Sequence, residues 1–350
     1  MPSKHPCESD LVSRVTAFIS RGQAEGGSDV AFSPLALDLF AYQFEKVPIY
    51  RRLCEKRGVQ PGSIEHWSQI PALPISAFKE HEVSSIPESF RTGVFHSSGT
   101  TNQIPSRHFH SATSLAVYEA SLLPWFEQNF PKEGLDLVFL TPSPDKAPHS
   151  SLIHMFKTVR EANSQFLGQL EPEGSWSLDL GELDELSSGR PVGLLGTAFS
   201  FVHWLDHLAA HKRKLRLPPG SRIMETGGYK GRSRIVSKVE LRRLMTKYLG
   251  VPEPNIVTEY GMCELGSQAY ECQGIFHFPP WARTQIVSPE TGRLAPEGET
   301  GLLRIFDLAN IHSVMALQTE DLAVNRGDGF ELLGRAESSE PRGCSIMATA

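Results

Sequence analysis

Short apolar runs that alternate with amphipathic stretches constrain the fold of this sequence more than any other feature. The apolar runs suit buried strands and lie at residues 135–140, 191–199, 221–226 and 255–260. Between and beside them, residues 111–130 and 232–250 carry apolar side chains at helical spacing. Strands that alternate with helices predict an α/β fold with a mainly parallel sheet and ligands at the carboxyl ends of its strands.

The two ends of the chain depart from this alternation. Residues 1–90 are predicted to be mainly helical, whereas 284–337 contains apolar runs joined by Gly- and Pro-containing turns, as in antiparallel β-structure. The predicted organisation is a helical part at 1–90, an α/β core at 91–283 with layered parallel and mixed sheets, and a β-rich end of the same domain at 284–337. Residues 338–350 are small and polar, which predicts a flexible tail.

Composition excludes several classes of protein. The net charge of −6 on 350 residues argues against a nucleic-acid-binding protein, which normally has a basic face. We find no run of roughly 18 apolar residues, so no membrane span is expected. The first residues lack the apolar core of a signal peptide, and the five cysteines have no framework spacing. A soluble protein of the reducing cytoplasm is therefore expected.

A run of small hydroxyl residues is the first candidate for a binding site. Residues 97–102 read SSGTTN, and the candidates are Ser97, Ser98, Gly99, Thr100 and Thr101. Their backbone N–H groups and hydroxyls can surround phosphate oxygens without steric obstruction. The segment is not a Walker A loop, because the G-x4-G-K-[ST] pattern is missing. Taken alone, it is equally well explained as a surface turn.

Further candidates follow later in the chain, several of them directly after predicted strands. These residues are Gly227 and Gly228 after one strand, Tyr260, Gly261 and Glu264 at the end of the next, then Asp321 and Arg335. Each signal is weak alone, since glycine after a strand usually forms a turn and acidic side chains are usually solvated. Their order and spacing together indicate a nucleotide site.

This order of motifs resembles the adenylate-forming superfamily of acyl-CoA synthetases, luciferases and peptide-synthetase adenylation domains. The resemblance implies the large N-terminal domain of that fold, with ATP and Mg²⁺ as cofactors. It implies that residues 97–101 hold the ATP triphosphate, that Tyr260 lies along the adenine, and that Glu264 reaches Mg²⁺. Asp321 matches the acid that binds the ribose, and Arg335 the arginine before the family's hinge. Cys263 stands where the family usually has Thr or Ser.

The C-terminal tail adds a more specific resemblance. Only thirteen residues follow Glu337, whereas the family usually continues into a lid domain that carries a catalytic lysine. The tail contains Arg-Gly-Cys at 342–344, which resembles the LuxE-type acyl-protein synthetases of bacterial fatty-acid reductase complexes. In that branch a cysteine near the C-terminus accepts the activated acyl group, so the resemblance implies this role for Cys344. Lys230 or Arg335 would supply cationic help in place of the lid lysine.

The implied reaction converts a fatty acid into an acyl-adenylate, transfers the acyl group to Cys344, and passes it to a partner such as a reductase. Two alternatives stay open. One is an acyl- or aryl-CoA ligase of the phenylacetate-CoA ligase type, with Cys344 incidental. The other is a non-catalytic module that binds an acyl-adenylate. Cys272 and His277 also resemble a zinc-binding position of phenylacetate-CoA ligase relatives, but two further ligands are not apparent in the sequence.

Overall fold

The computed structural model describes residues 7–25, 28–97, 104–170, 176–227 and 234–336. Its α-helices are α1 (Glu8–Glu25), α2 (Asp29–Lys46), α3 (Pro48–Lys56), α4 (Ala77–Glu80), α5 (Ala112–Asn129), α6 (Ser151–Val159), α7 (Leu180–Glu185), α8 (Ala198–Ala210) and α9 (Lys238–Leu249). Single-turn 3-10 helices lie at Trp67–Gln69, Glu88–Phe90 and Glu253–Asn255.

The strands fall into a large sheet and two small ones. They are β1 (Leu73–Pro74), β2 (Gly93–His96), β3 (Arg107–His110), β4 (Asp136–Phe139), β5 (Gln165–Phe166), β6 (Gly168–Leu170), β7 (Trp176–Leu178), β8 (Val192–Thr197), β9 (Arg222–Thr226), β10 (Ile256–Tyr260), β11 (Ala269–Cys272), β12 (Ile275–His277), β13 (Ala282–Val287), β14 (Thr300–Asp307), β15 (Ala316–Arg326) and β16 (Gly329–Arg335). The hairpin β2–β3 and the pair β6–β7 form the small sheets.

The large sheet has twelve strands and changes character at β10. Its order is β13-β14-β15-β16-β12-β11-β10-β9-β8-β4-β5, with β1 added in parallel to β15. The strands from β5 to β10 run parallel, as the alternating pattern predicts. From β10 to β13 every neighbouring pair is antiparallel. Strand β10 is therefore the border between the two halves.

Local sequence explains where the helices begin. The apolar pattern from residue 35 to 58 is split into α2 and α3, because Pro48 has no N–H to continue a helix and instead occupies the first turn of α3. The predicted helix at 232–250 begins later, at Lys238, because the side chain of Ser237 accepts a hydrogen bond from Glu240 N and caps it.

The hydrophobic core joins distant parts of the chain. Its largest cluster brings Leu11 of α1 and Phe40 of α2 against Leu303 and Ile305 of β14. The N-terminal helices thus pack on the antiparallel half of the sheet. A second cluster lies on the parallel half and contains apolar side chains of β4, β8, β9, α8 and α9. Phe201 and Trp204 of α8 are fully buried in it.

In the part of the chain that the structure describes, no helix is long and apolar enough to cross a membrane.

Candidate active site

Three of the predicted site residues are in contact at the border between the two halves of the sheet. Tyr260 is the last residue of β10, and its hydroxyl donates a 2.8 Å hydrogen bond to Oδ2 of Asp321 on β15. Asp321 lies directly opposite Arg335 in the β15–β16 ladder, and Nε of Arg335 is 3.6 Å from its Oδ1. Sheet register therefore places an aromatic ring, a carboxylate and a guanidinium side by side.

Burial differs within this group and affects its protonation. The side chain of Arg335 is 75% exposed, whereas that of Asp321 is only 11% exposed. Burial raises the pKa of Asp321, although the hydrogen bond from Tyr260 and the nearby Arg335 favour its charged form. Burial and the adjacent Asp321 carboxylate raise the pKa of Tyr260 well above its ordinary value. Tyr260 therefore acts as a neutral donor.

The ring of Tyr260 is held by an aromatic cluster. Phe276, Phe278 and Phe330 present themselves edge-on to it, with ring centroids 5.8 to 6.2 Å from the tyrosine ring. These phenylalanines come from β12, β16 and the segment after β12, so the antiparallel half fixes the orientation of a residue at the end of the parallel half.

Local geometry explains two of the predicted glycines. A Cβ atom at Gly261 would collide with Oε1 of the buried Glu259 side chain, so a larger residue directly after Tyr260 would require that side chain to shift. Gly227 has a φ of +69°, in the left-handed region, and the space on its side-chain side is open. Because Thr226 pairs with Glu259 in the sheet, Gly227 lies beside Tyr260 at the carboxyl edge.

Glu264 lies in the segment 261–267, which we call the acid loop. This loop is held through its backbone from two sides. Nδ2 of Asn310 donates to the Glu264 carbonyl at 2.8 Å, and Nδ1 of His108 lies 2.8 Å from the Cys263 carbonyl. Asp307 accepts hydrogen bonds from Gly266 N at 2.9 Å and from the Ser267 hydroxyl at 2.7 Å. The Glu264 side chain itself is buried.

Sequence reasoning missed the residues that hold the acid loop. His108, Asp307 and Asn310 are separated from their partners by at least 40 residues. The only local signal was a set of polar residues directly after the apolar run of β14, which a solvent-facing turn would explain equally well. Burial raises the pKa of Asp307 to about 6 and lowers the pKa of His108 below its ordinary value.

The described part of the hydroxyl segment lies at the base of a hairpin. Ser97 directly follows β2, and its hydroxyl oxygen accepts a 2.8 Å hydrogen bond from Ser106 N. Ser97 N in turn donates to the Ser106 carbonyl at 3.2 Å. Ser97 therefore closes the base of the loop that joins β2 to β3. Several predicted site residues lie outside the described residues: Ser98, Gly99, Thr100, Thr101, Gly228, Lys230 and Cys344.

Two places in the chain carry residues that could bind a metal ion. Among the described residues, no three His, Cys, Asp or Glu side chains gather to form a metal site. His277 lies 3.3 Å from Asp328, and Cys272 is exposed. Glu264 could bind Mg²⁺ without such a cluster of protein ligands. Mg²⁺ is commonly held by one or two carboxylates together with substrate phosphates.

Comparison with solved structures shows which class of proteins shares this fold. No established family profile matches the sequence. The structure resembles that of 2-hydroxyisobutyryl-CoA ligase in an open conformation with 2-HIB-AMP and CoA, with a TM-score of 0.60, 15% identity, and coverage of 95% of this chain and 75% of that chain. The same enzyme in its thioesterification state gives a TM-score of 0.60 at 15% identity, over 94% of this chain and 68% of that chain. The chain thus has the fold of adenylate-forming ligases.

A particular relative is found by sequence. The chain is 22% identical over 333 residues to the long-chain-fatty-acid–luciferin-component ligase of Vibrio harveyi. The aligned region covers 90% of this chain and 86% of the relative. This similarity and the shared fold confirm the predicted resemblance, the predicted fold class and the prediction that the chain is a ligase.

Proposed function

We propose that this chain activates a long-chain fatty acid with ATP and transfers the acyl group to its own Cys344. The observation that carries the proposal is the contact of Tyr260, Asp321 and Arg335 at one point of the sheet, directly before the C-terminal tail. The fatty-acid substrate rests on the name of the Vibrio harveyi ligase.

The residues fit a nucleotide in the following way. Asp321 would bind the ribose hydroxyls, and Tyr260 would lie along the adenine. The open space beside Gly227 would admit a flat ring close to the backbone. Gly228, outside the described residues, is proposed to belong to the same contact. Residues 97–101 would surround the phosphates. Arg335, whose guanidinium is mostly exposed, or Lys230 would counter their charge.

Glu264 would hold Mg²⁺ next to the ATP phosphates. The bound ion would neutralise negative charge on the transferring phosphate. The contribution of the chain is to fix the carboxylate, and the hydrogen bonds from Asn310 and His108 to the acid loop support such a role. Fixed oxygen ligands act without reorganisation at the moment of reaction.

The proposed chemistry has two steps. A carboxylate oxygen of the fatty acid attacks the α-phosphorus of ATP, the bond to the β-phosphate oxygen breaks, and pyrophosphate leaves with the electron pair. The Cys344 thiolate then attacks the acyl carbon of the adenylate, and AMP leaves as the bond between the acyl carbon and the phosphate oxygen breaks. The products are a thioester on the chain, AMP and pyrophosphate.

The position of Ala336, directly before the tail in sequence, supports the proposal of an intramolecular acceptor. Ala336, the last described residue, donates its backbone N–H to the Glu320 carbonyl at 2.9 Å, directly beside Asp321. Cys344 follows eight residues later, and an extended segment of that length spans at most roughly 28 Å. This length of chain would allow Cys344 to reach the proposed nucleotide site. From there the tail would carry the acyl group to a partner, which we propose to be an acyl-accepting reductase.

Intact-mass spectrometry tests this function. After incubation with ATP, Mg²⁺ and a panel of fatty acids, we expect the full chain to gain one acyl group, which hydroxylamine removes. Cys344→Ser should gain none, whereas Cys272→Ser, which removes an exposed thiol on β11, should behave like the wild type. An adduct that persists in Cys344→Ser would overturn the carrier role. Formation of acyl-CoA by Cys344→Ser when CoA is added would favour a CoA ligase instead.

A further inference from the structure

His108 connects two parts of the candidate site that are far apart in sequence. It lies on β3, the strand that follows the hydroxyl segment, and its Nδ1 is 2.8 Å from the carbonyl oxygen of Cys263 in the acid loop. The partners are separated by 155 residues. The His108 side chain is almost fully buried, with 4% of its surface exposed.

The chemistry of this contact fixes where the ring carries a proton. A carbonyl oxygen only accepts, so Nδ1 of His108 must be protonated and donate. Two neighbouring rings also restrict the orientation of the His108 ring. The Phe78 ring packs edge-on against it with 5.8 Å between centroids, and the His110 ring centroid lies 4.4 Å away. A donor held in this way constrains the carbonyl it binds.

Two successive backbone carbonyls of the acid loop accept hydrogen bonds from side chains outside the loop. His108 binds the carbonyl of Cys263, and Asn310 binds the carbonyl of Glu264 at 2.8 Å. Asn310 belongs to the segment after β14, on the antiparallel half of the sheet. Of these two anchors, His108 is the one that comes from the hairpin bearing the hydroxyl segment. It therefore ties the acid loop to β3, next to Glu264.

We propose that His108 is a positioning residue for Mg²⁺: through the Cys263 carbonyl it holds the acid loop, and with it the Glu264 carboxylate, against β3. This inference rests on the proposed function in so far as Glu264 binds the Mg²⁺ of a Mg·ATP complex. It assigns to His108 no contact with substrate.

Two amide side chains distinguish a specific donor from general packing. In His108→Asn the amide nitrogen takes the place of Nδ1, and it can donate to the Cys263 carbonyl. In His108→Gln the amide nitrogen reaches the place of Nε2 instead, so that donor is lost although the side chain is larger and equally polar. Circular dichroism melts without nucleotide identify any variant that fails to fold.

The first measurement is the Mg²⁺ dependence of the thermal shift caused by ATP. We expect the Mg²⁺ concentration for half of the maximal shift to rise about fivefold or more in His108→Gln, the effect of one lost buried hydrogen bond. In His108→Asn it should stay within about twofold of the wild type. Equal values in the two variants, or values in both like the wild type, would show that His108 serves packing alone.

The second measurement needs no ligand. Nitrogen-15 NMR of histidine-labelled protein should show His108 protonated at Nδ1, with a coupling across the hydrogen bond to Cys263. A ring with bare Nδ1 overturns the proposal. A normal Mg·ATP shift without acyl transfer in the wild type would remove the proposed function and leave this inference standing, whereas a wild type that ATP and Mg²⁺ do not stabilise would overturn both.

Discussion

The contact between Tyr260 and Asp321 shows how much a single hydrogen bond determines at this site. Asp321 is buried, so its carboxylate needs donors to stay charged, and Tyr260 is the nearest one, at 2.8 Å. A ligand that brings two hydroxyl donors would complete the set of partners around this carboxylate. The residue scale therefore gives the most direct tests of nucleotide binding.

Asp321→Ala should weaken ATP binding by roughly 1–3 kcal/mol, the range for a lost hydrogen bond to a charged group. Titration calorimetry with ATP and Mg²⁺ measures this directly. Glu320→Ala is a matched control, because Glu320 is the exposed neighbouring acid. Equal affinity in Asp321→Ala and wild type would exclude Asp321 from the ribose role.

Glu264→Gln should remove most of the exchange of pyrophosphate into ATP that depends on fatty acid. The substitution keeps the size of the side chain and removes the charge that would hold Mg²⁺. The backbone bond from Asn310 to residue 264 does not involve the side chain, so the fold should persist. Glu320→Gln should exchange normally, and parental exchange in Glu264→Gln would show that another group holds the metal.

At the scale of elements, strands β9 and β10 carry buried acids on both faces of the sheet. Thr226 of β9 donates a short hydrogen bond to Glu259 of β10, and Thr258 donates a 2.7 Å bond to Glu225. Burial raises the pKa of Glu259 to about 7, although the bond from Thr226 opposes this and Glu225 adds to it. These acids lie directly behind Tyr260 and Gly261, so their protonation affects the stability of the strand that ends at the site.

Glu259→Gln should change how stability depends on pH. In the wild type the unfolded chain loses this proton near pH 4.5 and the folded chain near 7, so the folded state binds more protons between these values. The free energy of unfolding therefore falls as pH rises from about 4.5 to 7, by about 3 kcal/mol at most. Glutamine has no proton to lose, so this part of the fall should be missing in the variant.

Urea denaturation of both proteins at several pH values from 4 to 8 measures this difference. Taking the difference between variant and wild type removes the contributions of other groups, such as Asp307. The stability of Glu259→Gln relative to wild type should increase across the window. Parallel curves for the two proteins would mean that the pKa of Glu259 is the same in the folded and the unfolded chain.

Elements also show what the sequence could and could not predict. The strands β4, β8, β9 and β10 were predictable because a buried strand shows itself as a local apolar run. Helix α9 was predicted to begin too early, since the cap at Ser237 is a single-residue signal within a longer polar stretch. The bonds from His108 and Asn310 to the acid loop were not predictable, because they depend on which strands become neighbours and local periodicity carries no such information.

At the scale of the whole molecule, the proposed function assigns adenylation and acyl transfer to different parts of the chain. Tyr260, Asp321 and Arg335, proposed for the first step, belong to the large sheet, whereas the proposed acceptor Cys344 follows Ala336 in sequence. The anchor of that tail, at the Glu320 carbonyl, adjoins Asp321. We therefore expect that acyl transfer can be removed without loss of adenylation.

Deletion of residues 343–350 should leave the exchange of pyrophosphate into ATP within about twofold of the wild-type rate, because adenylation is complete before the thiol acts. The thioester should be missing entirely. Exchange assays and intact-mass spectra on the same preparation test the two halves together, and Cys344→Ser serves as the point-substitution counterpart. Loss of exchange in the truncated chain would place the tail within the first step.

The bonds that build the site also govern when it can exist during synthesis. The hydrogen bond of Tyr260 can form only after Asp321, 61 residues downstream, has been synthesised. Likewise, the side chain of Gln43 in α2 accepts a hydrogen bond from the backbone N–H of Met315, 272 residues downstream. Helices α1 and α2 consequently leave the ribosome long before β14 and β15 arrive to cover their apolar faces. Contacts between residues so far apart in sequence slow folding and prolong the exposure of apolar surface. We therefore expect nascent chains shorter than about 320 residues to be chaperone clients without nucleotide affinity, and nucleotide affinity to appear only after Asp321 has been synthesised.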